Sequence, residues 1–414
     1  MSADVRPIAE SELPDWVRSV HTGFLTASRV TEADIALRAK YTDFSRTHGA
    51  FDPDTGRCVA TLRSFPQELT VPGGAAVRST AISNVGVLPT HRRQGLLTRM
   101  MAAEFAAAEA RGDALMTLVA AEYQIYGRYG FGPATSLVEW EIDVARTGLD
   151  RRLSAPVDGG RIDLVDVEEL RRVGPELHER LRARTPGAVN RDDRWWNMTT
   201  GVEEWSYRAF RDKFYAVYRT PEGEVASLAV YSADDHWTDA KIPQSSVQVR
   251  DLLAVTPQAE RALWQFLCSI DWVLKVRTGY RAPDALVPDL LPDPRAARVV
   301  TAADFLWVRV LDVVRALGAR TYEVPGVLVL EVTDGTGPAA GRYRLDAGTG
   351  VCERTEEAPE LRLGVAELGS LYLGGASAVR LAALGRVAEE RPGAAALADA
   401  MFRTARSPWC PDIF

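Results

Sequence analysis

The chain has 414 residues, of which 46% are hydrophobic and 25% charged, and its net charge is −7. That length exceeds one ordinary core and points to two or three domains. The acidic balance argues against non-specific binding to nucleic acid or to an anionic membrane, and it is compatible with a cationic substrate.

Leu13, Trp16, Val17, Val20 and Phe24 recur at helical spacing and predict a first helix that starts near Glu10 or Ser11. Residues 57–65, RCVATLRSF, and 76–88, AVRSTAISNVGVL, read as strands, with VPGG at 71–74 as a turn between them. Residues 94–111 form the clearest helix, with Leu96, Leu97, Met100, Met101 and Phe105 on one face and Gly112 as the stop. A buried strand follows at 114–121, then the aromatic, glycine-rich YGRYGFGPA at 126–134, then a strand, SLVEWEIDV. Residues 148–162 break this order and mark a first boundary. Residues 247–267, VQVRDLLAVTPQAERALWQFL, then repeat the plan of 82–101: apolar strand, proline-marked turn, amphipathic helix. This predicts an internal duplication whose second copy lacks the basic and glycine residues of the turn, keeps the fold and loses the site. The proline-rich stretch 281–300 marks a second boundary. Beyond it AADFLWVRVLDVVRALGA (302–319) reads as a helix, GVLVLEVTD and GRYRLDA as strands, and 375–389 and 393–404 as helical segments. Three units are expected, 1–150, 151–290 and 291–414.

The chain ends SPWCPDIF, stiff and apolar where most ends are polar and frayed. Such an end is either packed for stability or serves to place the terminal carboxylate. The four cysteines, Cys58, Cys268, Cys352 and Cys410, are far apart and show no CxxC spacing, and the five histidines are scattered. No metal site is expected, and the thiols read as reduced in a cytoplasmic protein. The start of the chain shows no secretory leader, and no apolar run approaches the ~18 residues needed to span a bilayer.

The most informative segment is 85–98, VGVLPTHRRQGLLT. An apolar strand ends at Leu88, Pro89 and Thr90 turn the chain, and Arg92, Arg93, Gln94 and Gly95 precede an amphipathic helix. A helix N-terminus offers unpaired N–H groups and about half a positive charge, and a glycine there lets a pyrophosphate approach the backbone. The order resembles the acyl-CoA-binding motif of the GNAT acyltransferases, R/Q-x-x-G-x-G/A. Arg92 and Gly95 match its first and fourth positions, and Leu97 departs from its last. The resemblance implies that Val85, Gly86 and Val87 pair with the pantetheine arm. Backbone donors of Arg93, Gln94, Gly95, Leu96, Leu97 and Thr98 would hold the pyrophosphate, and the strands would splay at Ala121 and Glu122.

AAEYQIYGRYGFGPAT, the three-unit layout and the aromatic C-terminus are more specifically similar to the Eis (enhanced intracellular survival) N-acetyltransferases. That resemblance covers nearly the whole chain. It implies an α+β fold of mixed sheets: an N-terminal GNAT domain, a degenerate central GNAT-like domain and a C-terminal sterol-carrier-protein-like domain. It implies acetyl-CoA as co-substrate without a metal, primary amines such as aminoglycosides or polyamines as acceptors, and a homohexamer. Within it Tyr126 is the general acid and the C-terminal carboxylate of Phe414 the general base. Chemistry gives both roles a reason. An attacking amine must be neutral although it is mostly protonated at pH 7, and a carboxylate that accepts the proton also favours binding of the cation. A free terminal carboxyl has a pKa near ~3.5, and burial beside Ile413 and the phenyl ring would raise it. A tyrosine hydroxyl can donate to the leaving thiolate.

Weaker candidates are Trp195, Trp196 and Phe24 as walls of a substrate cavity, for which ordinary packing is the better reading. His91 reads as structural, and Asp192 and Asp193 as a helix N-terminal pair or a lure for cations. Two rivals stand: an acyl-CoA- or lipid-binding protein with a decayed GNAT site, and an acetyltransferase of protein lysines.

Overall fold

The computed structural model describes residues 3–27, 29–150, 156, 158–335 and 337–414. In chain order, the first stretch gives β1 (Asp4–Pro7), α1 (Leu13–Gly23), α2 (Glu32–Lys40), β2 (Thr47–Phe51), β3 (Cys58–Thr70), β4 (Ala76–Val87), α3 (Leu96–Ala110), β5 (Leu115–Val119), α4 (Tyr123–Tyr126), β6 (Gly132–Pro133) and β7 (Ser136–Asp143). The middle stretch gives β8 (Arg161–Val165), α5 (Val167–Arg182), α6 (Asp193–Thr199), β9 (Phe214–Arg219), β10 (Val225–Ala233), β11 (Ser245–Ala254), α7 (Pro257–Ser269) and β12 (Val273–Arg277). The last gives β13 (Ala297–Asp304), β14 (Leu306–Val310), α8 (Val313–Ala319), β15 (Val327–Thr333), β16 (Gly341–Asp346), β17 (Val351–Arg354), β18 (Leu361–Gly364), α9 (Val365–Tyr372), α10 (Ala378–Ala383), β19 (Val387–Glu389) and α11 (Ala394–Phe402).

Among the described residues the strands form three sheets, in the orders β1-β2-β3-β4-β5-β14-β6, β13-β7-β12-β11-β10-β9-β8 and β17-β16-β15-β18-β19. The duplication expected from sequence is visible in the first two. In each, an antiparallel pair (β3–β4, β10–β11) leads through a helix (α3, α7) to a parallel neighbour (β5, β12). A helical crossover is what parallel pairing of consecutive strands requires.

The two sheets exchange strands across the expected boundaries. β7 precedes the 148–162 break, yet it pairs with β12 and β13 in the second sheet. β14 follows the second boundary, yet it completes the first sheet against β5 and β6. Neither sheet is whole without the other's strand. The segment 302–319 therefore corrects the helix expected there: it ends β13, forms β14 and only then enters α8. β14 is buried along its whole length, so its near-continuous apolar run carries no alternation to distinguish it from a buried helix. The helical segment expected at 375–389 also divides, into α10 and the short strand β19.

The first sheet is covered on both faces. Met116, Leu118 and Trp307 point to the side of α3, where Met100, Met101 and Phe105 meet them. Leu115, Leu306, Val308 and Val310 point the other way into one core shared with the third unit, including Leu330, Leu371 and Phe402. The period of two along β5 and β14 thus binds the C-terminal domain to the sheet that carries the candidate site. α9 lies on β14 at Gly369, where an added Cβ would come 2.2 Å from the Val308 carbonyl oxygen.

Candidate active site

The strand-to-helix turn after β4 gathers backbone donors at one point. Arg93 and Gly95 adopt positive φ, +64° and +73°, which folds the turn into a concave backbone of the kind that surrounds anions. Arg92, Arg93, Gln94 and Gly95 are exposed. The ladder of α3 opens with the Arg99 N–H donating to the Gly95 carbonyl, 3.1 Å, and no side chain caps the helix. The amides of Leu96, Leu97 and Thr98 thus stand at the positive end of a 15-residue helix with the first-turn donors that a phosphate uses. A Cβ on Gly95 would meet nothing within 4 Å, so the space above the turn is open. Leu97, the departure from the motif, is half-buried and leaves its own N–H unaffected.

The central copy shows the contrast. There Thr256 caps α7 by accepting the Ala259 N–H at 3.2 Å, and Pro257 at the first position has no N–H to offer. Its turn has used or lost the donors that the first copy keeps.

Replacing Gly95 by Ala tests the cradle. The forced left-handed backbone costs about 1–2 kcal/mol of stability, and the methyl group enters the open space above the turn. The expected result is a rise in KM for acetyl-CoA of roughly tenfold, about the value of one hydrogen bond, with a smaller change in kcat, read from steady-state thiol release.

Beside the cradle, β4 is broken by a bulge. On β3 the register runs from Thr61↔Gly86 to Arg63↔Ser83, which leaves two residues of β4, Asn84 and Val85, against one of β3. Asn84 takes φ +53°, and its carbonyl accepts from the Thr61 hydroxyl at 2.8 Å. A bulge bends its strand and increases the local twist. On the other side of β4, the parallel pairing with β5 ends at Ile82↔Leu118. From there the strands part, with Val85, Gly86 and Val87 on one lip. Ala121 and Glu122 lie just past the end of β5, both exposed, and Glu122 immediately precedes α4.

Tyr126 closes α4 and is 7% exposed, on the α3 side of the sheet, with its ring edge-on to Phe131 at 6.4 Å. Burial, with Glu122 and Tyr129 nearby, pushes its hydroxyl up to about 12. It therefore keeps its proton throughout the neutral range, as a general acid must. Tyr129, one turn on, lies with its hydroxyl 3.0 Å from Thr98 Oγ1 and ties this loop to the cradle.

The C-terminal tail returns to the first sheet. The Trp409 N–H donates to the Pro186 carbonyl at 2.8 Å, and the Arg281 guanidinium lies 4.5 Å from the Trp409 ring centre. Asp412 accepts from Arg191 Nε at 2.9 and 3.2 Å, while Arg191 Nη1 reaches Asp251 at 2.8 Å. The His178 ring stands 3.7 Å from the same Asp412 carboxylate. Phe414 then packs on the shared core with its ring edge-on to Phe65 of β3, 5.8 Å between centres. The last residue of the chain thus touches a strand of the first sheet. Ile413 does not join it; its side chain is exposed, which corrects the burial expected beside Ile413, and the packed part of the tail consists of Trp409, Cys410, Asp412 and the phenyl ring.

The weaker candidates fall elsewhere, except Phe24, whose ring would stand 4.0 Å from a Cβ added at Gly86 on the lip of β4. Trp195 lies under Arg191, 3.7 Å from guanidinium to ring centre, and Trp196 packs on α5, so the pair supports the tail anchor. Asp192 caps α6 by accepting the Trp195 N–H at 2.8 Å. His91 bonds Asp52 at 3.1 Å and holds the turn. Phe24 is half exposed at the end of α1, near a cleft of about 990 Å³ lined by His21, Thr22, Thr26, Arg29, Val30 and Thr31. Sequence reasoning did not find Asn84, Phe65, Arg38 or Arg63. The signal for Asn84 was present as a polar residue of high turn tendency inside an apolar strand, and for Arg63 as a charge amid ATLRSF.

All four cysteines are buried. Among the described residues no group of three or more His, Cys, Asp or Glu side chains is placed to hold a metal ion, and no helix is long and apolar enough to cross a membrane.

Comparison with known proteins gives a consistent result. The family description "acetyltransferase (GNAT) domain" matches residues 4–134 and again 187–310, and a sterol carrier protein domain matches 313–411. The second match ends at β14, across the strand exchange. An uncharacterized N-acetyltransferase of Streptomyces avermitilis is 62% identical over 99% of this chain and 98% of its own length. N-acetyltransferase Eis of Mycobacterium tuberculosis is 36% identical over 77% of this chain and 76% of its own. The crystal structure of Eis1 from Mycobacterium abscessus superposes with a TM-score of 0.85 at 30% identity, covering 99% of this chain and all of that one.

Proposed function

The chain belongs to the Eis-like family of GNAT N-acetyltransferases, and from that premise we propose that it transfers the acetyl group of acetyl-CoA to the primary amine of a small molecule by direct attack, with both substrates bound together. The observation that carries this reading is the uncapped, arginine-flanked N-terminus of α3 beside the open lip of β4. It offers a pyrophosphate its donors and an extended arm its strand edge, and the central copy lacks it. The decayed-site rival predicts the opposite arrangement.

In this reading the amine nitrogen attacks the thioester carbonyl, a C–N bond forms and the C–S bond breaks. The proton shed by the amine passes to the Phe414 carboxylate, directly or through water, and the departing sulfur takes a proton from the Tyr126 hydroxyl. No enzyme cysteine is needed as a nucleophile. Burial pushes the thiols of Cys58 and Cys352 up to about 12, which suits packing rather than attack.

The test is thiol release from acetyl-CoA over a panel of primary amines, starting with the aminoglycosides and polyamines that the family resemblance suggests. Turnover with any amine supports the reading, and tight acetyl-CoA binding without turnover overturns it. Tyr126→Phe is expected to lower kcat by roughly 10²-fold with little change in KM for acetyl-CoA; an unchanged kcat removes Tyr126 from the mechanism. Self-association into a hexamer, also suggested by the family, is open to sedimentation.

A further inference from the structure

Two arginines on the tail side of the first sheet are buried without a counter-ion. Arg38 of α2 is 7% exposed and Arg63 of β3 is 8% exposed. Arg38 Nη1 donates to Asn84 Oδ1 at 3.3 Å, and Arg63 Nη2 donates to the Tyr41 carbonyl at 3.1 Å. The Nε of each has no partner. Their flat faces rest on aromatic rings, Arg38 on Trp205 at 4.8 Å and Arg63 on Phe65 at 5.1 Å. Among the described residues neither forms an ion pair, and neither does the Phe414 carboxylate.

Other buried arginines fall into two groups. Among the described residues Arg281 and Arg320 have no acid partner and donate to backbone carbonyls, of Leu252 at 2.9 Å and Phe402 at 2.8 Å, whereas others are paired with acids. Arg191 has Asp251 and Asp412, and Arg309 has Asp334 at 2.8 Å. That is the general rule, since a buried charge without a partner is among the costliest features a fold can carry. At Arg38 and Arg63 the net field is also unfavourable. Burial, followed by repulsion from Arg194, holds Arg38 down to about 10. Burial, then repulsion from Arg194 and Arg38, holds Arg63 down to about 9, against weaker help from Asp192 and Asp43.

The position of the pair gives it meaning. Arg38 is bonded to Asn84, the residue of the bulge where β4 leaves β5. Arg63 shares the Phe65 ring with Phe414. They flank the place where, on the acetyltransferase reading above, the amine must arrive. Resting on that reading, we infer that the preferred acceptor is an amine that also carries a carboxylate, and that Arg38 and Arg63 bind this carboxylate and set the specificity. Guanidinium forks match a carboxylate in geometry as well as charge. The ligand supplies the counter-ion that the fold withholds, and a polycation meets repulsion instead.

The experiment compares ω-amino acids of two to six carbons with their own carboxamides as acceptors. Thiol release is read in the wild type, Arg63→Lys and Arg63→Met. In parallel, the N-acetylated acids and amides are titrated into CoA-loaded protein by calorimetry. At least one acid is expected to exceed its amide by tenfold or more in kcat/KM. Arg63→Lys should keep part of that ratio and Arg63→Met should bring it towards one, with the same order in product binding. The unliganded Arg63→Met protein should also melt higher than wild type, because it no longer buries an unpaired charge; a purely structural arginine would make it melt lower. Equal use of acids and amides, a preference for polyamines, or a ratio that survives Arg63→Met overturns the inference. If no amine is turned over but the acids still bind better than the amides and Arg63→Met abolishes the difference, acetyl transfer falls and the carboxylate site stands. If the difference in binding is also missing, both fall.

Discussion

Extending the chain by a few flexible residues beyond Phe414 is expected to lower kcat for amine acetylation by roughly 10²–10⁴-fold, the range set by loss of a general base. Acetyl-CoA should still bind, because the cradle at 93–98 belongs to a different part of the sheet. The structural reason lies in how the tail is held. Trp409 is bonded to Pro186, Asp412 is clasped by Arg191, and the Phe414 ring stands on Phe65 of the first sheet. The last carboxylate is therefore presented from a fixed mount, and two further residues would displace it or convert it to a peptide carbonyl that cannot accept a proton. Equilibrium titration with acetyl-CoA and steady-state thiol release separate the two effects.

The second large effect is on stability. Arg191 is buried between Asp251 and Asp412, and replacing it by Met leaves both carboxylates without their partner. Breaking a buried pair in this way costs about 3–5 kcal/mol, visible as a lower denaturant midpoint at unchanged slope. The pH dependence has a defined sign. In the wild type, burial works against ionisation of Asp412, but Arg191 and the His178 ring hold its carboxyl below the usual range. A depressed carboxyl contributes stability above its unfolded pKa and loses it as pH falls through the folded value. In Arg191→Met the same carboxyl is buried without the guanidinium, so its penalty is full near neutrality and fades as acid protonates it. The gap between wild type and variant should therefore narrow as pH falls through the carboxylate range. Activity should fall with stability, because the anchor holds the tail.

The elements nearest the chemistry were the most legible in the sequence. α3 announced itself through apolar positions at helical spacing, and its start through glycine and arginines where a capping residue would otherwise stand. The second copy was legible for the same reason, and Thr256 and Pro257 explain physically why its turn offers fewer free donors than the first. The strand exchange was not legible. β7 and β14 carry ordinary strand composition, and nothing in a local pattern says which of two similar sheets will take a strand. β14 was further hidden because it is buried on both faces. The terminal segment showed that it would be packed, but not that Arg191 would hold it or that Phe65 would receive it. Those contacts join residues more than 200 positions apart in sequence. Arg38 and Arg63 were invisible as a pair for a similar reason. Arginine is ordinarily a surface residue, and only the folded chain shows two of them buried on one side of a sheet with no acid between them.

The central claim is that the terminal carboxylate of Phe414 is the base, and one measurement isolates it. The full chain is prepared by ligation with Phe414 as its carboxamide, which keeps every atom of the ring and backbone but removes the charge. Its kcat for acetylation of the best amine is compared with that of the same ligated chain ending in the free acid. The account predicts a loss of roughly 10²-fold or more, with the melting temperature and acetyl-CoA affinity unchanged. A carboxamide chain that acetylates amines at the rate of the free acid would contradict it.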